Sequence, residues 1–166
     1  MGAIGYLGLG TNLGDRRAEL EAGVAGLRAR GIEVLASSCT YDTDPVGEIL
    51  DQPDFLNACV RIRTGLAPEA LLDAAKELER ERGRDLAARR HSPRPLDVDL
   101  LLLGDAPYAS ERLTLPHAQV AERRFVLIPL LELDPGLTLP DGRRLADLLA
   151  ALPVDEGVRF AGPPLL

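Results

Sequence analysis

The run Leu96-Asp97-Val98-Asp99-Leu100-Leu101-Leu102-Leu103 is aliphatic throughout except for two carboxylates. Its length and composition predict a strand over Leu96 to Leu103. Side chains two apart in a strand share a face, so Asp97 and Asp99 are expected to point the same way. Upstream, Phe55 to Thr64 alternates, with Val60 and Ile62 on one face and Arg61 and Arg63 on the other, and reads as a strand. Between these strands, Glu69 to about Arg82 repeats Leu71, Leu72, Ala75 and Leu78 at helical spacing. Pro68 suits its first turn and Gly83 its end.

The same grammar continues toward the N-terminus. Ala3 to Leu9 reads as a strand, and Asp15 to about Arg30 as a helix closed by Gly31. Gly8, Gly10, Asn12 and Gly14 read as the tight turn between them. Ile32 to Tyr41 reads as one further strand, followed by a long polar loop from Asp42 to Asp54. The order is β-α-β-β-α-β, which predicts an α+β, ferredoxin-like fold. In that frame an antiparallel sheet carries its helices on one face. Leu113 to Pro116 adds a short extended piece, and Phe125 to Leu133 and Leu145 to Leu152 add short helices, so helices are expected on the sheet's faces. Pro163 and Pro164 suggest a loose tail over about 153–166, within a single domain of 1–166.

Composition narrows the function. The chain of 166 residues is 46% hydrophobic and 27% charged, as expected of one folded domain. No apolar run approaches the roughly 20 residues that span a bilayer, and no basic-then-apolar leader opens the chain. The expected location is the cytoplasm, with no membrane partner. A net charge of −7 argues against a nucleic-acid partner. The positive charge is local, gathered between Arg80 and Arg94, which suits a small anionic ligand. Cys39 and Cys59, each in an apolar segment, read as core thiols. A monomer is the working expectation.

Two carboxylates side by side in apolar surroundings repel each other, and a hard divalent cation would offset that repulsion. Alone, Asp-x-Asp also fits an exposed acidic pair at a sheet edge. The adjoining segment Arg84 to Pro95 changes the balance. It carries Arg84, Arg89, Arg90 and Arg94 and reads as a mobile basic loop. Arginine's planar fork matches phosphate oxygens, so carboxylates beside this loop suit phosphoryl chemistry. The glycines from Gly8 to Gly14 are no dinucleotide fingerprint, because Leu13 stands where glycine is needed, and the chain has no P-loop. Phe55 and Phe125 are notable in a chain only 4% aromatic. Spacing alone reads each as core. They could instead hold a flat heterocycle, with Asn57 on the same face as Phe55 reading its edge.

These stretches together resemble a known family. They are Tyr6-Leu7-Gly8-Leu9-Gly10-Thr11-Asn12-Leu13-Gly14, Asp51-Gln52-Pro53-Asp54-Phe55-Leu56-Asn57-Ala58, Glu79 through Arg84, Pro93-Arg94-Pro95-Leu96-Asp97-Val98-Asp99, and Leu113-Thr114-Leu115-Pro116-His117 continuing to Arg123 and Phe125. In this order they resemble the 6-hydroxymethyl-7,8-dihydropterin pyrophosphokinases of folate biosynthesis. The resemblance implies ATP as co-substrate and two Mg²⁺ ions on Asp97 and Asp99. It implies that Arg84 and Arg94 assist transfer, and that Thr43, Asp44, Val46, Phe55, Asn57, Asp97 and Phe125 bind the pterin. Glu79, Arg84, Arg90, Arg94, Arg112, Thr114, His117 and Arg123 match positions around ATP. Ser92, His91 and Ala118 depart from residues often found at those places. The implied reaction is pyrophosphate transfer from ATP to the pterin hydroxymethyl group. The alternatives are a ferredoxin-like module that binds a nucleotide or metabolite without turnover, and an ordinary kinase that releases ADP.

Overall fold

The computed structural model describes residues 2–44, 52–83, 95–153 and 157–166. In chain order the elements are β1 (Ala3–Thr11), α1 (Arg16–Ala29), β2 (Glu33–Ser37), β3 (Thr40–Thr43), β4 (Phe55–Thr64) and α2 (Pro68–Glu81). They continue as β5 (Asp97–Leu103), β6 (Tyr108–Ala109), β7 (Thr114–Leu115), α3 (Arg124–Leu133), α4 (Leu145–Ala151) and β8 (Val158–Gly162). The main sheet is six-stranded in the order β5-β1-β4-β3-β8, with β2 also on β4. Every pairing in it is antiparallel. The ferredoxin-like expectation holds.

Alternation along the strands splits the core in two. Leu7, Leu9, Leu56, Ala58, Val60 and Ile62 face α1 and α2, where they meet Leu20, Leu27, Leu71 and Leu78. Tyr6, Cys59, Leu101 and Leu102 face the other way, onto Val126, Leu127, Leu130 and Leu145 of α3 and α4. The first pair of helices covers one face as the β-α-β-β-α-β frame requires, and the C-terminal pair covers the other. α1 starts on Asp15, whose carboxylate accepts from the Ala18 N–H at 3.1 Å.

Three sequence expectations need correction. Ile32 to Tyr41 is two strands, because Ser38 breaks the ladder: its N–H donates to Cys59 O at 2.9 Å, and its Oγ accepts the Cys59 N–H at 3.0 Å. A side-chain oxygen has replaced a backbone carbonyl there. Gly8 and Gly10 are not turn residues but lie inside β1, which runs through to Thr11. Finally, residues 158–166 are not a loose tail. β8 pairs with β3, Arg17 of α1 donates to Pro163 O and Pro164 O at 2.8 and 2.7 Å, and Leu165 is buried in the first core.

Candidate active site

The sheet face beneath α3 carries the polar residues. Asp97 of β5, Gly10 of β1, Asn57 of β4 and Tyr41 of β3 lie in one row across four strands. The next row holds Asp99, Gly8 and Cys59. Opposed residues in an antiparallel pair share a face. Asp97 and Asp99 therefore do point the same way, and Asn57 shares their side of the sheet. A bulge in β5 maintains this arrangement further along: the register shifts between Tyr6 and Leu7, so Leu101 and Leu102 both turn toward α3 and α4.

The two glycines form the floor between carboxylates and amide. A Cβ on Gly8 would stand 3.6 Å from the Leu101 side chain and 3.9 Å from Asp99 Cβ. A Cβ on Gly10 would stand 2.6 Å from Asn57 Oδ1. Asn57 in turn donates from Nδ2 to Thr43 Oγ1 at 2.5 Å. Thr43 is opposite Phe55, the first residue of β4. The pattern Gly-x-Gly is the local signal for this floor, and the same pattern fits a tight turn equally well.

Burial, then the neighbouring carboxylates of Asp97 and Glu79, push the Asp99 carboxyl up to about 7. The positive charges of Arg123 and Lys76 oppose that shift. Arg123 precedes α3 and also stacks its guanidinium over Phe125, 5.4 Å from the ring centre. His117 is held beside this group: its N–H donates to Leu101 O at 2.9 Å, and its Nδ1 accepts from the Gln119 N–H at 3.1 Å. Burial first, then Arg123, holds its pKa below the usual histidine range, so it is neutral at pH 7.

A pair of carboxylates that repel each other on an apolar strand fits a hard dication. Among the described residues no group of three or more His, Cys, Asp or Glu side chains converges on one point. A magnesium ion here would be held by Asp97 and Asp99 together with phosphate oxygens, the usual habit of Mg²⁺ with phosphate substrates.

Glu79 and Arg112 have structural partners. Glu79 is 1% exposed, and its Oε2 accepts the Val98 N–H at 2.8 Å, between the two aspartates. Among the described residues β5 is an edge strand, and Glu79 supplies an acceptor on its unpaired side. Arg112 is exposed and pairs with Glu69 at 3.2 Å and Asp73 at 2.5 Å on α2. Thr114 lies exposed on β7. Asp44 donates its N–H to Gly157 O at 3.0 Å. Val46, Arg84, Arg90 and Arg94 lie outside the described residues.

Comparison with known proteins completes the assignment. An HPPK-DHPS structure from Plasmodium falciparum superposes with a TM-score of 0.71 at 14% identity, over 90% of this chain and 45% of that one. The likeness fixes the fold, and the chain spans less than half of that larger protein. Residues 6–135 match the family model for 7,8-dihydro-6-hydroxymethylpterin-pyrophosphokinase. The 2-amino-4-hydroxy-6-hydroxymethyldihydropteridine pyrophosphokinase of Pseudomonas aeruginosa is 42% identical over 158 residues, covering 95% of this chain and 96% of that protein. Its counterpart in Methylorubrum extorquens is 45% identical over 148 residues, covering 89% and 92%.

The chain belongs to the 7,8-dihydro-6-hydroxymethylpterin-pyrophosphokinase family. It is an ATP-dependent enzyme of pyrophosphoryl transfer in folate biosynthesis, and family membership does not favour the non-catalytic module.

Proposed function

We propose that the α3 face of the sheet is where this transfer takes place, with ATP phosphates at Asp97 and Asp99 and the pterin between Phe55, Asn57 and Phe125. The observation that carries this reading is the shared row of Asp97, Gly10 and Asn57, which sets a carboxylate and an amide on either side of a glycine floor. Asn57 presents both donor and acceptor capacity, as the polar edge of a pterin requires. Thr43, Asp44 and Val46 contribute backbone to the same edge. Asp97 and Asp99 would hold magnesium, with two ions expected. Bound there, magnesium would supply positive charge against the negative charge that develops on transfer.

The hydroxymethyl oxygen of the pterin attacks the β-phosphorus. The new O–P bond forms as the bond from that phosphorus to the α–β bridging oxygen breaks, and AMP leaves with that oxygen. The hydroxyl proton passes to solvent. Most of the acceleration comes from positioning and electrostatics. Arg84 and Arg94 stabilise the phosphates, and Arg90, Arg112, Thr114, His117 and Arg123 surround ATP. Among the described residues, Arg123 carries the positive charge that acts most strongly on Asp99. The protein works as a monomeric single domain in the cytoplasm, without nucleic acid or membrane. No described helix is long and apolar enough to cross a membrane.

Product analysis tests the proposal. Incubation with ATP, Mg²⁺ and 6-hydroxymethyl-7,8-dihydropterin should give AMP and the pterin diphosphate, with no AMP when the pterin is omitted. ADP in place of AMP would overturn pyrophosphoryl transfer. Asp97→Ala should nearly abolish turnover, and an unchanged rate would sink the metal assignment.

A further inference from the structure

On the face opposite the proposed pterin site, one arginine joins the two strands that carry it. Arg159 lies on β8, opposite Asp42 of β3. Its Nη1 is 3.1 Å from Asp44 Oδ1, and its Nη2 is 2.9 Å from Asp54 Oδ2. Asp44 directly follows Thr43, and Asp54 directly precedes Phe55. Thr43 and Phe55 are register partners at the end of the β3–β4 ladder. Asn57 is tied to the same pair through Thr43 Oγ1.

Adjacent residues in a strand point to opposite faces. Asp42 thus turns away from the face that carries Thr43, Phe55 and Asn57, and Arg159, opposite Asp42 in the ladder, reaches Asp44 and Asp54 just beyond the strands. Arg159 acts on that face only through the backbones of β3 and β4. Arg16, at the start of α1, reinforces the same spot: its Nη1 donates to Asp42 Oδ1 at 2.6 Å and to Asp54 O at 3.1 Å. Asn12 adds a third tie, donating to Pro53 O at 3.1 Å. Two stretches distant in sequence, residues 12–16 and β8, thus converge on the point where β3 and β4 part.

We propose that Arg159 is a positioning residue for the pterin half of the site, its single guanidinium bridging Asp44 and Asp54 to fix the Thr43–Phe55 pair and hence the Asn57 amide. This rests on the reading that Phe55 and Asn57 bind the pterin. It gives the C-terminal strand a role in substrate affinity. A planar fork can satisfy two carboxylates at once, whereas a lysine reaches them as a point charge.

The test is steady-state kinetics on the full-length enzyme, with the dihydropterin and ATP varied separately. Exposed ion pairs are individually weak, so Arg159→Gln should raise the pterin KM roughly three- to tenfold. KM for ATP and kcat should stay within about twofold. Arg159→Lys should recover part of the loss. Asp54→Asn should raise the pterin KM as well, and the double variant should be no worse than the poorer single one, because both remove the same bridge. Asp54→Asn carries the test by itself if Arg159→Gln does not fold. Asn57→Ala serves as the reference. If Asn57→Ala raises the pterin KM while Arg159→Gln and Asp54→Asn leave it unchanged, the clamp is wrong and the pterin site stands. If none raises it, the pterin site itself is misplaced. A fall in kcat with both KM values unchanged would also overturn the proposal.

Discussion

The amide oxygen of Asn57 occupies the space that a side chain on Gly10 would fill, with Oδ1 2.6 Å from the position of a Cβ there. The obstruction is the end of a side chain, not backbone. Gly10→Ala should therefore fold, losing about 1 kcal/mol of stability, because Asn57 can rotate away. Rotation would break its 2.5 Å bond to Thr43 Oγ1 and spoil the proposed pterin contact. The pterin KM should rise about tenfold, as expected for one lost polar contact. Gly5→Ala is the control. Its Cβ would meet the backbone oxygen of Leu102 at 2.9 Å, so it should destabilise by about 2 kcal/mol. Thermal unfolding and pterin kinetics on both variants check the contrast, and equal melting losses would refute it.

Asp99 makes the metal-free protein weaker as pH rises. Its folded pKa, about 7, lies above the ordinary aspartate value near 4 because of burial and then Asp97. Between those values the folded chain binds the proton more tightly than the unfolded chain does. Stability therefore falls as pH climbs through this window, and the penalty is complete above it. Asp99→Asn removes the titration. Without Mg²⁺ or nucleotide, the variant should gain on the parent as pH rises from 5 to 8, reaching about 1–2 kcal/mol after allowing for solvent at the open side. Urea unfolding of both proteins across that range measures the gap. A gap that stays constant would contradict the argument. Turnover of the variant should be nearly lost.

The C-terminal segment should matter for folding. Leu165 is 9% exposed and packs into the core beneath α1 and α2, while its N–H donates to Ser37 Oγ at 3.1 Å. Leu165→Ala should cost about 2 kcal/mol, within the range for truncating a buried leucine. A melting temperature unchanged from the parent would mean that the segment is dispensable.

What the sequence disclosed, and what it hid, follows the range of the forces involved. β4, β5, α1 and α2 carry their own periodicity, so their limits were legible to within a residue or two. The common face of Asp97 and Asp99 followed from the two-residue period alone. Gly8 and Gly10 resemble turn residues in sequence because the reason for glycine there comes from Asn57 and Asp99 across the sheet. The break at Ser38 depends on Cys59 of another strand, and β8 depends on β3, Arg17 and the Arg159 bridge. Such pairings leave no local signature. The short helices α3 and α4 were visible as apolar stretches, but which sheet face they cover depends on how the chain returns after β5.

Glu79 separates two roles that the sequence could not tell apart. Its place near the nucleotide follows from resemblance, whereas its buried carboxylate accepts the Val98 N–H at 2.8 Å and so braces β5 between Asp97 and Asp99. If bracing is its main work, Glu79→Ala leaves a buried amide without that acceptor and should destabilise the protein by about 2–3 kcal/mol. Turnover should fall with it, since Asp97 and Asp99 flank the loosened residue. Glu79→Gln keeps an oxygen acceptor in the same place and should lose less than about 1 kcal/mol. It also removes one of the negative charges that raise the Asp99 pKa, so the Asp99 carboxyl should titrate lower than in the parent. Chemical unfolding and ATP kinetics on the two variants decide between the roles. A nucleotide contact would instead raise the ATP KM in both variants and leave unfolding where it was.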